Sequence, residues 1–288
     1  LVSVFLFGGN DAFNMVVPRS VAEHGVYARS RQNLAVARDV LLPLEPLSSD
    51  GAQYGLHPAM APLASRFASG QLAVIANMGP LVQPVTRDQV LARSVPLPPL
   101  LFSHNDQQEQ WHTLAGQRGL RTGWAGRAAD VISADTSTQA LPVNVSLTGT
   151  TSFQIGDGGA AYNIGTDGAS SHFVLTSPQA AFYAERRAMF ERLLAARSDS
   201  PITRSFSAVH ARSLRLADTV SAALAAAVPL RTTFPTTSLG AQLAMVARMI
   251  AVRDALQMQR QVFMVAAGGY DTHDNQNTDQ PRLFGELA

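Results

Sequence analysis

The sequence predicts an α/β protein in which a central, mostly parallel sheet is flanked by helices. Two apolar segments, Leu1 to Phe7 and Val262 to Ala267, have the length and continuous hydrophobicity of buried strands. Between them, apolar residues recur at helical spacing in several long segments. Strands that alternate with helices favour a parallel sheet covered on both faces.

Composition limits the functional classes that the chain can belong to. With 46% hydrophobic residues among 288, the chain can bury a large core, as a globular protein does. Its net charge is only +1, so we expect no nucleic-acid partner. It contains neither Cys nor Lys, which excludes thiolate ligands, thiol nucleophiles and a Schiff-base or Walker lysine. No segment reaches the ~18 apolar residues of a membrane span.

The elements after the first strand follow from local signals. Proline is common in the first turn of a helix and glycine just after its last turn, and short apolar runs between such residues predict strands. In chain order we expect a polar helix (Val21 to Arg31), a short strand (Leu41 to Leu44), a helix from Pro58 to about Ser69, a buried strand (Leu72 to Asn77), two helices (Thr86 to Arg93 and Gly123 to Ile132) and a strand (Leu141 to Leu147).

Three long amphipathic segments precede the final strand. They are Pro178 to Arg197, Ile202 to Val228 and Leu239 to Met258. We interpret residues 177–258 as a helical insertion within a single domain that spans residues 1–288.

Both predicted buried strands end in the same pattern, Gly-Gly-x-Asp. The first strand runs into Gly8 to Asp11, and the last runs into Gly268 to Asp271, followed closely by His273. Ligands of parallel sheets gather beyond the carboxyl ends of the strands. Carboxylate and imidazole groups are good ligands for zinc or manganese. Asp11, Asp271 and His273 are therefore candidate metal ligands.

A candidate nucleophile lies in the segment LLFSHNDQQEQW. Ser103 or Asn105 is suited to cap the helix that follows, and a helix N-terminus favours a bound anion. A metal ion beside Ser103 could lower the pKa of its hydroxyl, which would then attack a phosphate or sulfate ester.

Each of these residues also has a structural interpretation. The glycine turns could be tight turns in which Asp11 or Asp271 caps the next segment, and Ser103 could be an ordinary N-cap. His104 and His112 are eight residues apart on one predicted helix, which is too far for them to bind one metal ion together, so we interpret them as ordinary helix-face histidines. A nucleotide-cofactor site would require G-x-G-x-x-G after the first strand, and GGNDAF lacks it.

At these residues the sequence resembles a bacterial family known as domain of unknown function 1501. The matching segments include LVSVFLFGGNDAFNMVVP, LFSHNDQQEQW, LPVNVSLTGTTSFQIG and GGYDTHDNQ, in the same order over nearly the whole chain. The resemblance implies an alkaline-phosphatase-like or sulfatase-like fold and export by the twin-arginine route, so a periplasmic or secreted protein whose signal peptide is not in this chain.

The resemblance also implies roles for individual residues. Asp11 is similar to an early ligand of a two-metal site for zinc, manganese or calcium, Asp271 and His273 to a ligand pair for the other metal, and Ser103 to the nucleophile. Asn10 would then hydrogen-bond the oxyanion of a small anionic ester. Family members continue with Ser-Glu-Phe-Gly-Arg and an Asp-His pair, so we expect residues 1–288 to be C-terminally incomplete and the site to be short of ligands. The alternative is a non-catalytic exported protein of the same fold that acts in binding or surface assembly.

Overall fold

A computed structural model describes residues 1–48, 50–115, 120–134, 141–169, 175 and 178–288. The chain divides into two units. The first unit consists of residues 1–4 and 112–265, and the second consists of residues 5–111 and 266–288. Among the described helices, none combines the length and apolarity that crossing a bilayer requires.

A five-stranded, mostly parallel sheet confirms the predicted α/β class. Its strand order is β1-β8-β5-β6-β7, where β1 is Val2–Leu6, β5 is Asn144–Ser146, β6 is Tyr162–Gly165, β7 is Gly168–Ala169 and β8 is Val262–Ala267. β5 is parallel to both β6 and β8, and only the short β7 is antiparallel to its neighbour. Hydrogen bonds from Phe263 N to Leu1 O (2.9 Å) and from Phe7 N to Ala267 O (2.8 Å) show that β1 runs parallel to β8.

The last strand is buried on both faces, as its continuous apolar sequence predicts. Phe263, Met264 and Val265 are exposed by 2%, 0% and 0%. A strand flanked by other strands and covered above and below has no solvent face, so it needs apolar residues at every position.

In the described part of the first unit, four helices accompany the sheet: α5 (Trp124–Ala134), α6 (Tyr183–Ala195), α7 (Pro201–Ala225) and α8 (Ser238–Ala251). Ser200 and Thr237 cap α7 and α8 by accepting hydrogen bonds from backbone N–H groups of the first turn. The last three helices lie inside the predicted insertion, whose first residue, 177, is outside the described residues. That residues 177–258 form an insertion stays a prediction.

The second unit contains a three-stranded antiparallel sheet and five helices. The sheet has the order β2-β4-β3, with β2 at Val16–Pro18, β3 at Leu42–Leu44 and β4 at Tyr54–Leu56. The helices are α1 (Val21–Arg31), α2 (Ala61–Ala68), α3 (Arg87–Ala92), α4 (His104–Thr113) and α9 (Gln276–Leu287). Met60, Tyr270 and Phe284 belong to a buried apolar cluster in this unit.

The strand predicted at Leu72 to Asn77 is wrong. These residues form neither strand nor helix, and the side chain of Ile75 is 76% exposed. An apolar run becomes a strand only when it finds the edge of another strand, and a short run carries no information about such a partner.

Candidate functional site

The two glycine turns lie side by side in the second unit. The backbone N–H of Tyr270 donates to the carbonyl of Phe7 (3.2 Å), so the chain after β8 pairs with the chain after β1. Gly8 has a φ of +105°, and a Cβ atom at this position would lie 2.7 Å from the backbone nitrogen of Asp271. Glycine is therefore required here by both conformation and space, and it lets Asp271 approach the first turn.

The carboxylate of Asp271 lies between two imidazoles. Its Oδ1 is 2.7 Å from Nε2 of His273, and its Oδ2 is 3.5 Å from Nε2 of His104. The three side chains remain 45–73% exposed. His104 also lies against the first turn, because a Cβ on Gly9 would be 3.4 Å from its ring. The predicted pair Asp271 and His273 thus meets, together with a histidine that was interpreted as an ordinary surface residue.

Ser103 caps helix α4. Its hydroxyl donates to Oδ2 of Asp106 (2.7 Å) and accepts from the Asp106 backbone N–H (3.4 Å), while its carbonyl accepts from the N–H of Gln107 (2.9 Å). The predicted N-cap position is confirmed. Ser103 directly precedes His104, so the sequence places its hydroxyl one residue from the imidazole that faces Asp271. A role as nucleophile stays a prediction.

The Asp11 carboxylate has partners of its own. It forms an ion pair with Arg31, at the end of α1, and accepts a hydrogen bond from the side-chain amide of Gln276, at the start of α9. It also accepts from the N–H of Phe13 (3.2 Å) and so caps the short helical turn at residues 12–14. The capping interpretation of Asp11 is confirmed, and its predicted role as a metal ligand is not tested by these contacts.

A buried hydrogen-bond network supports Asp11. Gln280 donates from Nε2 to the carbonyl of Asp11 (3.0 Å) and accepts at Oε1 from Asn14 (3.0 Å). Asn14 in turn accepts from the hydroxyl of Tyr27 (2.8 Å), and burial raises the pKa of that phenol. Elements α1 and α9 therefore hold the turn after β1 in one position.

Asn10 faces the interior of the second unit. Its Nδ2 lies 2.9 Å from the sulfur of Met15, and its Oδ1 is buried and has no hydrogen-bond partner among the described residues. The predicted contact of Asn10 with a substrate oxyanion would use Nδ2, which would first have to turn away from Met15.

One comparison with known proteins decides the family. The model of the family described as protein of unknown function (DUF1501) matches residues 1–288. The chain belongs to the DUF1501 family. Comparison with the curated proteins and with the solved structures yields no match.

In this DUF1501 protein, the described residues contain no group of three or more His, Asp or Glu side chains already spaced to hold a metal ion. The nitrogen and oxygen atoms of His104, Asp271 and His273 contact one another directly. Sequence reasoning missed His104, Arg31 and Gln276. A signal for His104 existed, since it lies in the matching segment LFSHNDQQEQW beside Ser103.

Proposed function

We propose that this DUF1501 protein is a metal-dependent hydrolase of phosphate or sulfate esters with an alkaline-phosphatase-like fold. The observation that carries the proposal is the carboxylate of Asp271, with one imidazole at each oxygen, beside the glycine turn of β1. The location beyond the ends of two parallel strands supports a ligand site. Export to the periplasm or beyond, implied by the family resemblance, belongs to the same proposal.

The three side chains are of types that bind a divalent cation such as zinc, but they would have to move before they could hold one together. Ligand atoms ~2.0–2.1 Å from zinc at the tetrahedral angle are about 3.3 Å apart. The distance of 3.5 Å between His104 Nε2 and Asp271 Oδ2 is close to this spacing, although His273 contacts the other oxygen of Asp271. The distance of 2.7 Å between His273 Nε2 and Asp271 Oδ1 must open by about 0.6 Å, which the exposed side chain of His273 allows. Manganese fits the same ligands, whereas calcium would need more oxygen ligands.

Ser103 supplies the nucleophile in this proposal. Its hydroxyl already donates to Asp106 (2.7 Å), so this carboxylate accepts the proton as the Ser103 oxygen bonds to phosphorus or sulfur and the bond to the ester oxygen breaks. The leaving oxygen takes a proton from water, and a second water then hydrolyses the ester formed on Ser103. The N-terminus of α4 provides backbone N–H groups and a positive dipole end for the anionic ester. A bound cation would supply the Lewis acidity that withdraws charge from an ester oxygen.

Asp11 favours a second candidate function. Its carboxylate is already neutralised by Arg31 and held by Gln276, as expected for a structural residue. If Asp11 does not bind metal, the two-metal site that the resemblance implies is not formed. The second candidate is then a non-catalytic binding protein of the same fold.

The experiment measures cation content and hydrolysis on the same samples. The 288-residue chain is stripped with a chelator, dialysed against zinc, manganese or calcium, and assayed by elemental analysis and with aryl phosphate and aryl sulfate substrates. Asp271→Asn is the test variant, and Asp274→Asn is the matched control because Asp274 is an exposed carboxylate three residues away.

We expect one zinc or manganese ion per chain, and cation affinity at least about 100-fold lower in Asp271→Asn, because even partners of a ligand contribute 10–100-fold. Asp274→Asn should match the wild type. Equal cation content in all three proteins would refute the metal site. Cation binding without turnover of any aryl ester would favour the non-catalytic candidate.

A further inference from the structure

A cavity of about 860 Å³ lies within the first unit, and none of its lining residues belongs to the candidate site. It is lined by α5, by the segments that lead into β5 and β6, and by α7. Pockets of ~300–1,000 Å³ are typical of sites for small molecules. Its size is therefore that of a ligand site.

One wall of the cavity is rigidly built. A Cβ on Gly126 would lie 2.0 Å from the carbonyl oxygen of Ile155, so α5 packs directly against the backbone at Ile155. The Asp130 carboxylate accepts hydrogen bonds from the backbone N–H groups of Asp157 (2.8 Å) and Gly158 (3.0 Å). This wall is formed before any ligand arrives, and a preformed site loses less entropy on binding.

The cavity offers both donors and acceptors. Asp157 and Arg212 are among the lining residues, both are exposed, and their charged groups have no ion pair or hydrogen bond with the part of the chain that the structure describes. Because they do not pair with each other, a ligand does not have to break an ion pair between them. The Asp130 carboxylate adds further acceptor positions, since two N–H groups occupy only part of its lone pairs.

Two other lining residues carry buried polar atoms that lack a partner among the described residues. They are the hydroxyl of Tyr162 and the Oδ1 of Asn163. Burial raises the pKa of Tyr162 to about 12, so this phenol keeps its proton and can donate. Both atoms have almost no accessible surface, so they lie behind the cavity wall rather than in the cavity itself.

We propose that this cavity is a binding site for a neutral sugar. A hydroxyl group both donates and accepts, so the hydroxyls of a sugar can bond a carboxylate as well as a guanidinium. Apolar side chains such as Leu141, Val143 and Leu216 provide surfaces for the C–H faces of a sugar ring. With two carboxylates against one guanidinium, the lining disfavours an anionic ligand such as phosphate, and Arg212 disfavours an amine.

Calorimetric titration of the 288-residue chain tests the proposal. The probes are glucose, mannose, N-acetylglucosamine and maltose, with glucuronate and inorganic phosphate for comparison. The variants Asp157→Asn and Arg212→Gln each remove one charged group, whereas Asp199→Asn and Arg231→Gln change exposed residues of the same types outside the cavity. Circular dichroism checks that each variant is folded.

We expect at least one neutral sugar to bind with a Kd of about 1 mM or tighter, and each cavity variant to weaken that binding about tenfold, the effect of losing a hydrogen bond to a charged group. The control variants should bind as the wild type does. Absence of binding by every neutral sugar, tighter binding of phosphate, or equal affinities in the wild type and both cavity variants would overturn the proposal. None of these results depends on metal binding at Asp271.

Discussion

Replacing Gly8 with alanine should damage the site after β1 and β8 through a defined clash. The new Cβ would lie 2.7 Å from the backbone nitrogen of Asp271 and 3.1 Å from its Cβ. The alanine would also have to adopt a φ of +105°, which L-residues rarely do. The change therefore combines backbone strain with a contact that only movement of Asp271 can relieve.

The magnitude follows from these two contributions. Backbone strain at a positive φ costs about 1–3 kcal/mol, and forcing an extra methyl group into occupied space adds about 1–3 kcal/mol. We expect the free energy of unfolding to fall by about 2–6 kcal/mol, as the sum of those ranges. Displacement of Asp271 from His104 and His273 should also weaken cation binding.

The control is Gly70→Ala in the same unit. Gly70 has a φ of +71°, and a Cβ there would have no atom within 4 Å, so this variant suffers strain without a clash. Urea unfolding of both variants measures the difference, and zinc titration measures the effect on the site. If Gly8→Ala lost no more stability than Gly70→Ala, the close approach of Asp271 to the first turn would be refuted.

Two further predictions concern buried polar groups of the second unit. Arg31→Met leaves the largely buried carboxylate of Asp11 without its cation, so urea unfolding should show a free energy of unfolding lower by about 1–3 kcal/mol. The same substitution should cost less in an Asp11→Asn background, and additive effects of the two substitutions would contradict the ion pair. Burial lowers the pKa of His57 in the folded protein. Its contribution to stability is therefore fully present above the unfolded-state pKa of about 6.5. The contribution is lost as the pH falls through the lower folded-state pKa, because the unfolded chain binds the proton more readily. Between pH 7.5 and pH 5, the free energy of unfolding should therefore fall more steeply for the wild type than for His57→Asn, by at most about 1.4 kcal/mol per pH unit. Parallel pH profiles of the two proteins would show that His57 does not contribute.

Much of the fold could be predicted because its signals are local. The helix Val21–Arg31 has the predicted bounds, since Ser20 caps its first turn and Glu23 returns a contact to that cap. β8 likewise agrees with its prediction, because six apolar residues followed by paired glycines indicate a strand and its end. The same reasoning failed at Leu72 to Asn77, where the apolar run has no strand beside it.

The candidate site could be predicted only in part. Asp271 and His273 are two residues apart, so the sequence itself keeps them together. The contact of Asp271 with His104 joins residues 167 positions apart, and that of Asp11 with Gln276 joins residues 265 positions apart. Neither hydrophobic periodicity nor capping patterns indicate contacts between residues so far apart in the sequence.

The sequence by itself determined the family, the α/β class and the two strands that end in Gly-Gly-x-Asp, because composition, periodicity and turn residues act over a few neighbouring positions. The tertiary structure alone decided which groups meet beyond those strand ends. It paired Asp11 with Arg31 and Gln276, and it placed His104 with Asp271 and His273. Such contacts depend on how separate elements pack in space, and the energy of that packing is distributed over many side chains that no local pattern contains.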